Sequence, residues 1–96
     1  MQITDGIIYM NQLELNIKEI VFMVAPALPF DSFAKIDDLV QLHGEYGVAM
    51  ELLCSILEEH KIAINSDIYN KIIGVFVEMQ FTPNQVDYYK KHLIHK

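Results

Sequence analysis

The sequence contains no arginine: its seven basic residues are all lysines, they face thirteen acids, and the formal net charge is −6. Arginine supplies the planar, bidentate contacts that proteins use to hold phosphates and to recognise base edges. Its absence therefore argues against nucleic-acid binding. Attachment to an anionic membrane would also need clustered basic residues. We expect neither nucleic acid nor a membrane to be the partner.

Cysteine is almost absent as well. Cys54 is the only one, so no internal disulfide can form, and the cytoplasm is the simplest location. The first six residues contain an acid and no positive charge, so we expect no signal peptide. The longest apolar stretch, residues 20–30, is too short to span a bilayer and contains two prolines. We expect a protein that is neither secreted nor membrane-spanning.

Helical periodicity is the dominant pattern of the sequence. Apolar residues recur three and four positions apart, and strand-like alternation is scarce. This pattern predicts helices over residues 4–24, about 31–43, 45–60 and 67–79, and from Pro83 toward the end. A chain of 96 residues has the length of one domain. We therefore predict an all-α fold, a single-domain irregular bundle of about five helices over residues 1–96.

The first helix has two apolar faces. One face carries Met10, Leu13, Ile17, Ile20, Val21 and Val24. Ile8, Leu15 and Phe22 recur every seven residues on nearly the opposite face. A helix that is apolar on two sides is usually packed between neighbours, so we expect both faces to be buried.

Capping residues and apolar faces define the other helices. Asp31 or Ser32 is expected to cap the second helix, Ser66 the fourth, and Thr82 the fifth, with Pro83 at its first position. Gly44 is placed to end the second helix. The expected inner faces are Phe33, Ile36, Leu39, Val40 and His43 in the second helix; Tyr46, Ala49, Met50, Leu52, Leu53, Ile56 and Leu57 in the third; Ile68, Ile72, Val75, Phe76 and Met79 in the fourth; and Val86, Tyr89 and Leu93 in the fifth.

No residue pattern indicates catalysis. His92 and His95 have a spacing that could share a metal ion, but no further ligands accompany them in sequence, and cations at a helix end are the simpler interpretation. Cys54 has no visible activating base, which favours a small semi-buried residue over a nucleophile. We expect no enzyme and no cofactor. A small metal- or thiol-dependent enzyme is the weakest alternative.

The charge is unevenly distributed. Residues 1–60 contain ten acids and two lysines, whereas residues 61–96 contain three acids and five lysines. The resulting negative field would favour a basic partner. The same acids also serve solubility, and charge alone leaves the two interpretations about equal.

A stretch in the middle of the chain resembles the MafI-like immunity proteins of bacterial polymorphic toxin systems. The stretch is HGEYGVAMELLCSILEEHKIAI, residues 43–64, and the resemblance covers roughly residues 36–79. The matching features are a Gly-Glu-Tyr turn, an Ala-x-Glu-x-Leu helix, a cysteine, and an acidic end that leads to a short apolar turn. The residues in these places are Gly44, Glu45, Tyr46, Ala49, Glu51, Leu53, Cys54, Glu58 and Ile62.

The resemblance implies a small helical protein that binds and neutralises a toxin, as in contact-dependent inhibition systems. Several toxins of such systems are ribonucleases, EndoU-type enzymes among them, and a nuclease cleft is basic. The candidate contact residues are the acids expected on the outer sides of the second and third helices: Asp37, Asp38, Glu51, Glu58 and Glu59. The alternatives are that the shared residues mainly fold the domain, and that the chain is a helical adaptor or regulatory subunit with an unrelated protein partner.

Overall fold

The computed structural model describes residues 3–95, and their side chains from residue 12 onward. The helices are α1 (Ile3–Val24), α2 (Phe30–Gln41), α3 (Tyr46–Glu59), α4 (Ser66–Glu78) and α5 (Pro83–His92), with one 3₁₀ turn at Ala25–Ala27 after α1. The prediction of an all-α bundle of five helices is confirmed. No helix in the described part of the chain is long and apolar enough to cross a membrane.

The start of α2 differs from the expectation. The helix begins at Phe30 rather than after a cap at Asp31 or Ser32, because the carbonyl of Pro29 accepts the first helical bond from the amide of Phe33 at 3.0 Å. No side chain caps this end. Proline fixes its own φ and cannot donate, so Pro29 provides a helix start without a polar cap.

The end of α2 also needs a correction. Leu42 is the C-cap and His43 is exposed, so His43 does not belong to the inner face. Gly44 follows with a φ of +61°, which glycine adopts at little cost, and the amide of Glu45 then bonds to the carbonyl of Leu39 at 2.9 Å. This turn reverses the chain and lets α3 pack along α2.

The caps of the last two helices are formed by side chains. Asn65, not Ser66, caps α4, because its Oδ1 accepts the amide hydrogen of Ile68 at 2.8 Å. The predicted cap of α5 is confirmed: the Thr82 hydroxyl accepts from the amide of Gln85 at 3.2 Å, and the Gln85 side chain accepts from the amide of Thr82 at 2.9 Å. This reciprocal arrangement is a capping box.

Helix α3 forms much of the core and packs on α1, α2 and α4. Its buried residues are Ala49, Met50, Leu53, Cys54, Ile56 and Leu57, which confirms the predicted apolar face, with Tyr46 and Leu52 half-buried at its edges. Helix α5 packs on α4, where the ring of Phe76 stacks on Tyr89 with centroids 4.4 Å apart. After α5, the amide of Ile64 donates to the carbonyl of Ile94 at 2.9 Å, which brings the end of the described chain back to the start of α4.

The two-sided burial predicted for α1 is wrong for the side chains that the structure describes. Ile17, Ile20, Val21 and Val24 are buried, as expected. On the second face, Leu15 is 57% exposed and Phe22 is 72% exposed. The side chains of Ile8 and Met10 lie outside the described residues. Helices α2, α3 and α4 pack on α1, and Leu15 and Phe22 stay exposed in this packing.

Candidate functional site

The five acids predicted to contact a partner all lie at the surface of α2 and α3. Asp38, Glu51 and Glu59 are exposed, whereas Asp37 and Glu58 are half-buried. They belong to a stretch that we call the acidic segment, residues 30–60, which comprises α2, the turn after it, and α3. This segment contains seven acids and one lysine, and so carries a charge of −6, equal to that of the whole chain.

Ion pairs within the molecule leave the acidic segment uncompensated. Among residues 12–95 the lysine–carboxylate pairs are Lys18 with Glu14 at 3.0 Å and Lys71 with Glu19 at 2.9 Å. Both pairs use acids of α1. No acid of residues 30–60 is paired with a cation of the described chain. Their negative charge is therefore available to an external partner.

The predicted acids do not all face the same neighbour. Asp37 borders α1, where it lines a groove between α1 and α2. Glu58 instead approaches α5 and accepts a long hydrogen bond from the Tyr88 hydroxyl at 3.4 Å. Glu51 is on the same side of α3 as Glu58. Burial, together with the negative charges of Glu51 and Glu58, raises the pKa of Tyr89 in α5 to about 12. Asp37 and Glu58 thus belong to two different borders of the acidic segment.

The groove beside Asp37 was not anticipated from the sequence. We call it the α1–α2 groove; it has a volume of about 610 Å³ and is lined by Gln12, Leu15, Asn16, Lys18, Glu19, Val21, Phe22, Phe33, Asp37 and Val40. The sequence signal was the recurrence of Leu15 and Phe22 at a spacing of seven residues. That spacing predicts a second packed face, and the prediction is wrong because periodicity shows that residues share a side of a helix but not what covers that side.

The other chemically interesting residues are held by local contacts. Cys54 is buried in the core, and burial, followed by the charges of Glu51 and Glu58, raises the pKa of its thiol well above the usual range. The His92 ring lies against Tyr88 with centroids 4.1 Å apart, and its Nδ1 is 2.8 Å from the Tyr88 carbonyl oxygen. His95 stacks on Tyr69 at 4.0 Å. Within residues 12–95, whose side chains the structure describes, no three His, Cys, Asp or Glu side chains are grouped so that they could hold a metal ion.

Comparisons with known proteins identify no relative. No protein-family model matches the chain, and no curated protein or solved structure shows significant similarity to it.

Proposed function

We propose that this chain is an immunity protein of the MafI-like kind, which binds a toxin, a ribonuclease with a basic surface, and neutralises it by direct contact. The observation that carries the proposal is the charge of the acidic segment: seven acids and one lysine lie on two packed helices and the turn between them, and none of these seven acids is in an ion pair with a described side chain. The resemblance to the family falls largely on the same residues.

The physical argument concerns charge complementarity. A ribonuclease must hold phosphates, so its cleft is basic, and opposite fields accelerate the encounter of two proteins. Carboxylates that are already paired would have to exchange one cation for another. Those of residues 30–60 have no cation of the described chain to release, so a basic partner does not have to break an internal ion pair to reach them.

The burial pattern supports a division of roles within α3. Ala49, Leu53 and Cys54, which carry part of the family resemblance, are buried and hold the bundle together. Glu51 and Glu59 on the same helix are exposed. The buried residues of the resemblance therefore support the fold, and partner specificity is assigned to the exposed acids of the same helix, of which Glu51 is itself part of the resemblance.

Co-expression with the product of the adjacent gene tests the proposal. The C-terminal domain of a large secreted protein encoded immediately upstream would be expressed under an inducible promoter, alone and together with this chain. We expect growth arrest in the first case and survival in the second, with the two proteins co-purifying as a complex. A second acidic helical protein of similar net charge is the control for unspecific charge effects.

Two outcomes would contradict the proposal. Toxicity that persists despite abundant folded chain, with no complex on co-purification, would refute it. Protection by the control protein would show that acidity alone suffices, so protection could not be assigned to the acidic segment of this chain. A stable complex with a partner that is not toxic would favour the adaptor or regulatory-subunit alternative.

A further inference from the structure

The α1–α2 groove lies between two helices, and residues of both line it. Leu15 and Phe22 on α1 are seven residues apart, which places them on nearly the same side of the helix, about 10.5 Å apart along its axis. Phe33 and Asp37 form the facing wall on α2, and the buried side chains of Val21 and Val40 lie between the walls. The groove therefore presents apolar contacts over about two helical turns.

One uncompensated charge remains in this groove. Lys18 and Glu19 both line it, but Lys18 is paired with Glu14 and Glu19 with Lys71. Asp37 receives only the amide of Gln41, whose Nε2 is 2.8 and 2.9 Å from its two carboxylate oxygens. An amide donates hydrogen bonds without neutralising charge. The result is an apolar groove with a half-buried carboxylate in its wall.

We infer that the α1–α2 groove is the docking site for an amphipathic helix of a partner protein, which packs its apolar side on Leu15, Phe22 and Phe33 and places a lysine or arginine against Asp37. A helix laid in a groove presents residues at positions i, i+3, i+4 and i+7, which is the spacing that the groove itself offers. As an account of how the toxin is held, this inference rests on the proposed function.

Charge argues against the simplest other occupant, a second copy of this chain. Two copies would each bring a net charge of −6 and the same Asp37 carboxylate to the contact. Like charges brought together at an interface oppose association. A basic amphipathic helix can cover the apolar walls with its apolar side and pair a basic residue with the Asp37 carboxylate.

The groove offers two matched pairs of variants. Phe22 lines the groove and is 72% exposed, whereas Phe30 is 79% exposed and lies outside the lining. Phe22→Ala and Phe30→Ala therefore remove the same side chain at comparable exposure. Asp37→Asn and Asp38→Asn remove the same charge at adjacent positions, of which only Asp37 lines the groove. All four changes leave the buried core intact.

Two synthetic peptides serve as probes. Each has about five helical turns with leucines at the three- and four-residue spacing of one helix face. One carries lysines on its polar side and the other glutamates. Titration into the isotope-labelled chain, followed by amide shifts, gives both the location of binding and the dissociation constant.

We expect the lysine peptide to shift amides of α1 and α2 along the groove and to bind at least about tenfold more tightly than the glutamate peptide. Phe22→Ala should raise the dissociation constant of the lysine peptide about tenfold, as expected for an interface anchor, and Phe30→Ala should leave that constant unchanged. Asp37→Asn should weaken the binding of the lysine peptide severalfold more than Asp38→Asn does. Shifts that map elsewhere, equal binding of both peptides, or equal losses in the matched variants would overturn the inference.

Protection assays with the same variants separate this inference from the proposed function. If the wild-type chain protects and Phe22→Ala does not, while Phe30→Ala does, the groove holds the toxin. If all four variants protect like the wild type, the groove is refuted as the toxin site and the immunity function stands. If the wild type does not protect, the proposed function fails, and the peptide titration still decides the groove. A dimer in sedimentation that Phe22→Ala abolishes would assign the groove to a second copy and overturn the inference.

Discussion

The hydroxyl of Tyr46 donates a hydrogen bond of 2.8 Å to Oε1 of Glu14, across thirty-two positions of sequence. Tyr46 is the first residue of α3, and Glu14 lies near the middle of α1. The same carboxylate receives the ammonium of Lys18 at 3.0 Å through its other oxygen. The tyrosine of the Gly-Glu-Tyr turn thus ties the start of α3 to α1, which gives this residue of the family resemblance a structural role.

Removing the hydroxyl of Tyr46 tests this tie. Tyr46→Phe should lower the free energy of unfolding by roughly 1 kcal/mol, because the bond is half-buried and its acceptor is charged. Urea denaturation followed by circular dichroism measures the change. Tyr88→Phe is the control, because the Tyr88 hydroxyl is exposed and its bond to Glu58 is long; its effect should stay below about 0.5 kcal/mol. Equal losses in the two variants would contradict a specific role for the α1–α3 bond.

The same contact predicts a pH dependence. The Lys18 ammonium and then the Tyr46 hydroxyl favour the carboxylate and hold the pKa of Glu14 below its ordinary value of 4.5. Because this pKa is lower in the folded state than in the unfolded chain, its contribution to stability is present above about pH 4.5 and is lost as the pH falls through the folded value. The stability difference between the wild type and Glu14→Gln should therefore shrink below that pH. A difference that grows on acidification would show that the sign is wrong.

Leu53 tests the core of α3. Its side chain is fully buried, and Leu53→Ala should destabilise the domain by roughly 2–5 kcal/mol, the usual range for a truncated core leucine. Leu42→Ala is the matched control, since Leu42 is 73% exposed and its loss should cost less than about 0.5 kcal/mol. Chemical denaturation of both variants gives the comparison. A small loss at Leu53 would mean that α3 is rotated from its position here.

Cys54 should be chemically silent. The thiol is buried and its pKa is raised, so thiolate is scarce and a reagent reaches it only when the chain opens. Labelling with a disulfide reagent should be slower in the folded chain than in urea by a factor on the order of 10³ or more. If the chain is an immunity protein as proposed, Cys54→Ala should retain protection against its toxin. Rapid labelling of folded protein, or a folded Cys54→Ala chain without protection, would restore a reactive role for this cysteine.

The acids of α3 should accelerate association with a basic partner. Replacing Glu51 and Glu58 by lysine changes the local charge from −2 to +2 and leaves the buried side of the helix unchanged. In stopped-flow binding to the proposed toxin partner at two salt concentrations, the on-rate should fall about tenfold or more at low salt, and its salt dependence should weaken. Circular dichroism verifies the fold.

The control for this charge reversal makes the same change elsewhere. Glu78→Lys with Asp87→Lys alters the total charge equally, but on α4 and α5. It should slow association much less than the change on α3. Equal slowing would show that only the total charge matters, and an unchanged on-rate in the folded Glu51 and Glu58 variant would remove this side of α3 from the interface.

The helices themselves were predictable from the sequence. Apolar spacing located all five, and Thr82 with Pro83 marked a boundary that the structure confirms, because helix formation and termination depend on contacts within a few residues. Gly44 lies in the turn after α2, two residues beyond the C-cap Leu42. The cap of α4 was displaced by one position because Asn65 and Ser66 are adjacent and both suit an N-cap. On α2 the N-cap is Pro29, a residue whose φ is fixed by its ring, and the helix starts there without a side-chain cap.

Tertiary structure alone determined which apolar stripe of α1 is buried. The stripe of Ile17, Ile20 and Val24 and the stripe of Leu15 and Phe22 both repeat at helical spacing, and that spacing does not show which neighbours cover either stripe. In the folded chain α2, α3 and α4 pack on α1, and the side chains that are buried there belong to the first stripe. Likewise, the bond between Tyr46 and Glu14 and the separation of Asp37 from Glu58 depend on residues that are distant in sequence. The sequence by itself determined the helices and the excess of acids over residues 30–60. The groove and the partners of each acid followed only from how those helices pack, because contacts between distant segments leave no local pattern in the chain.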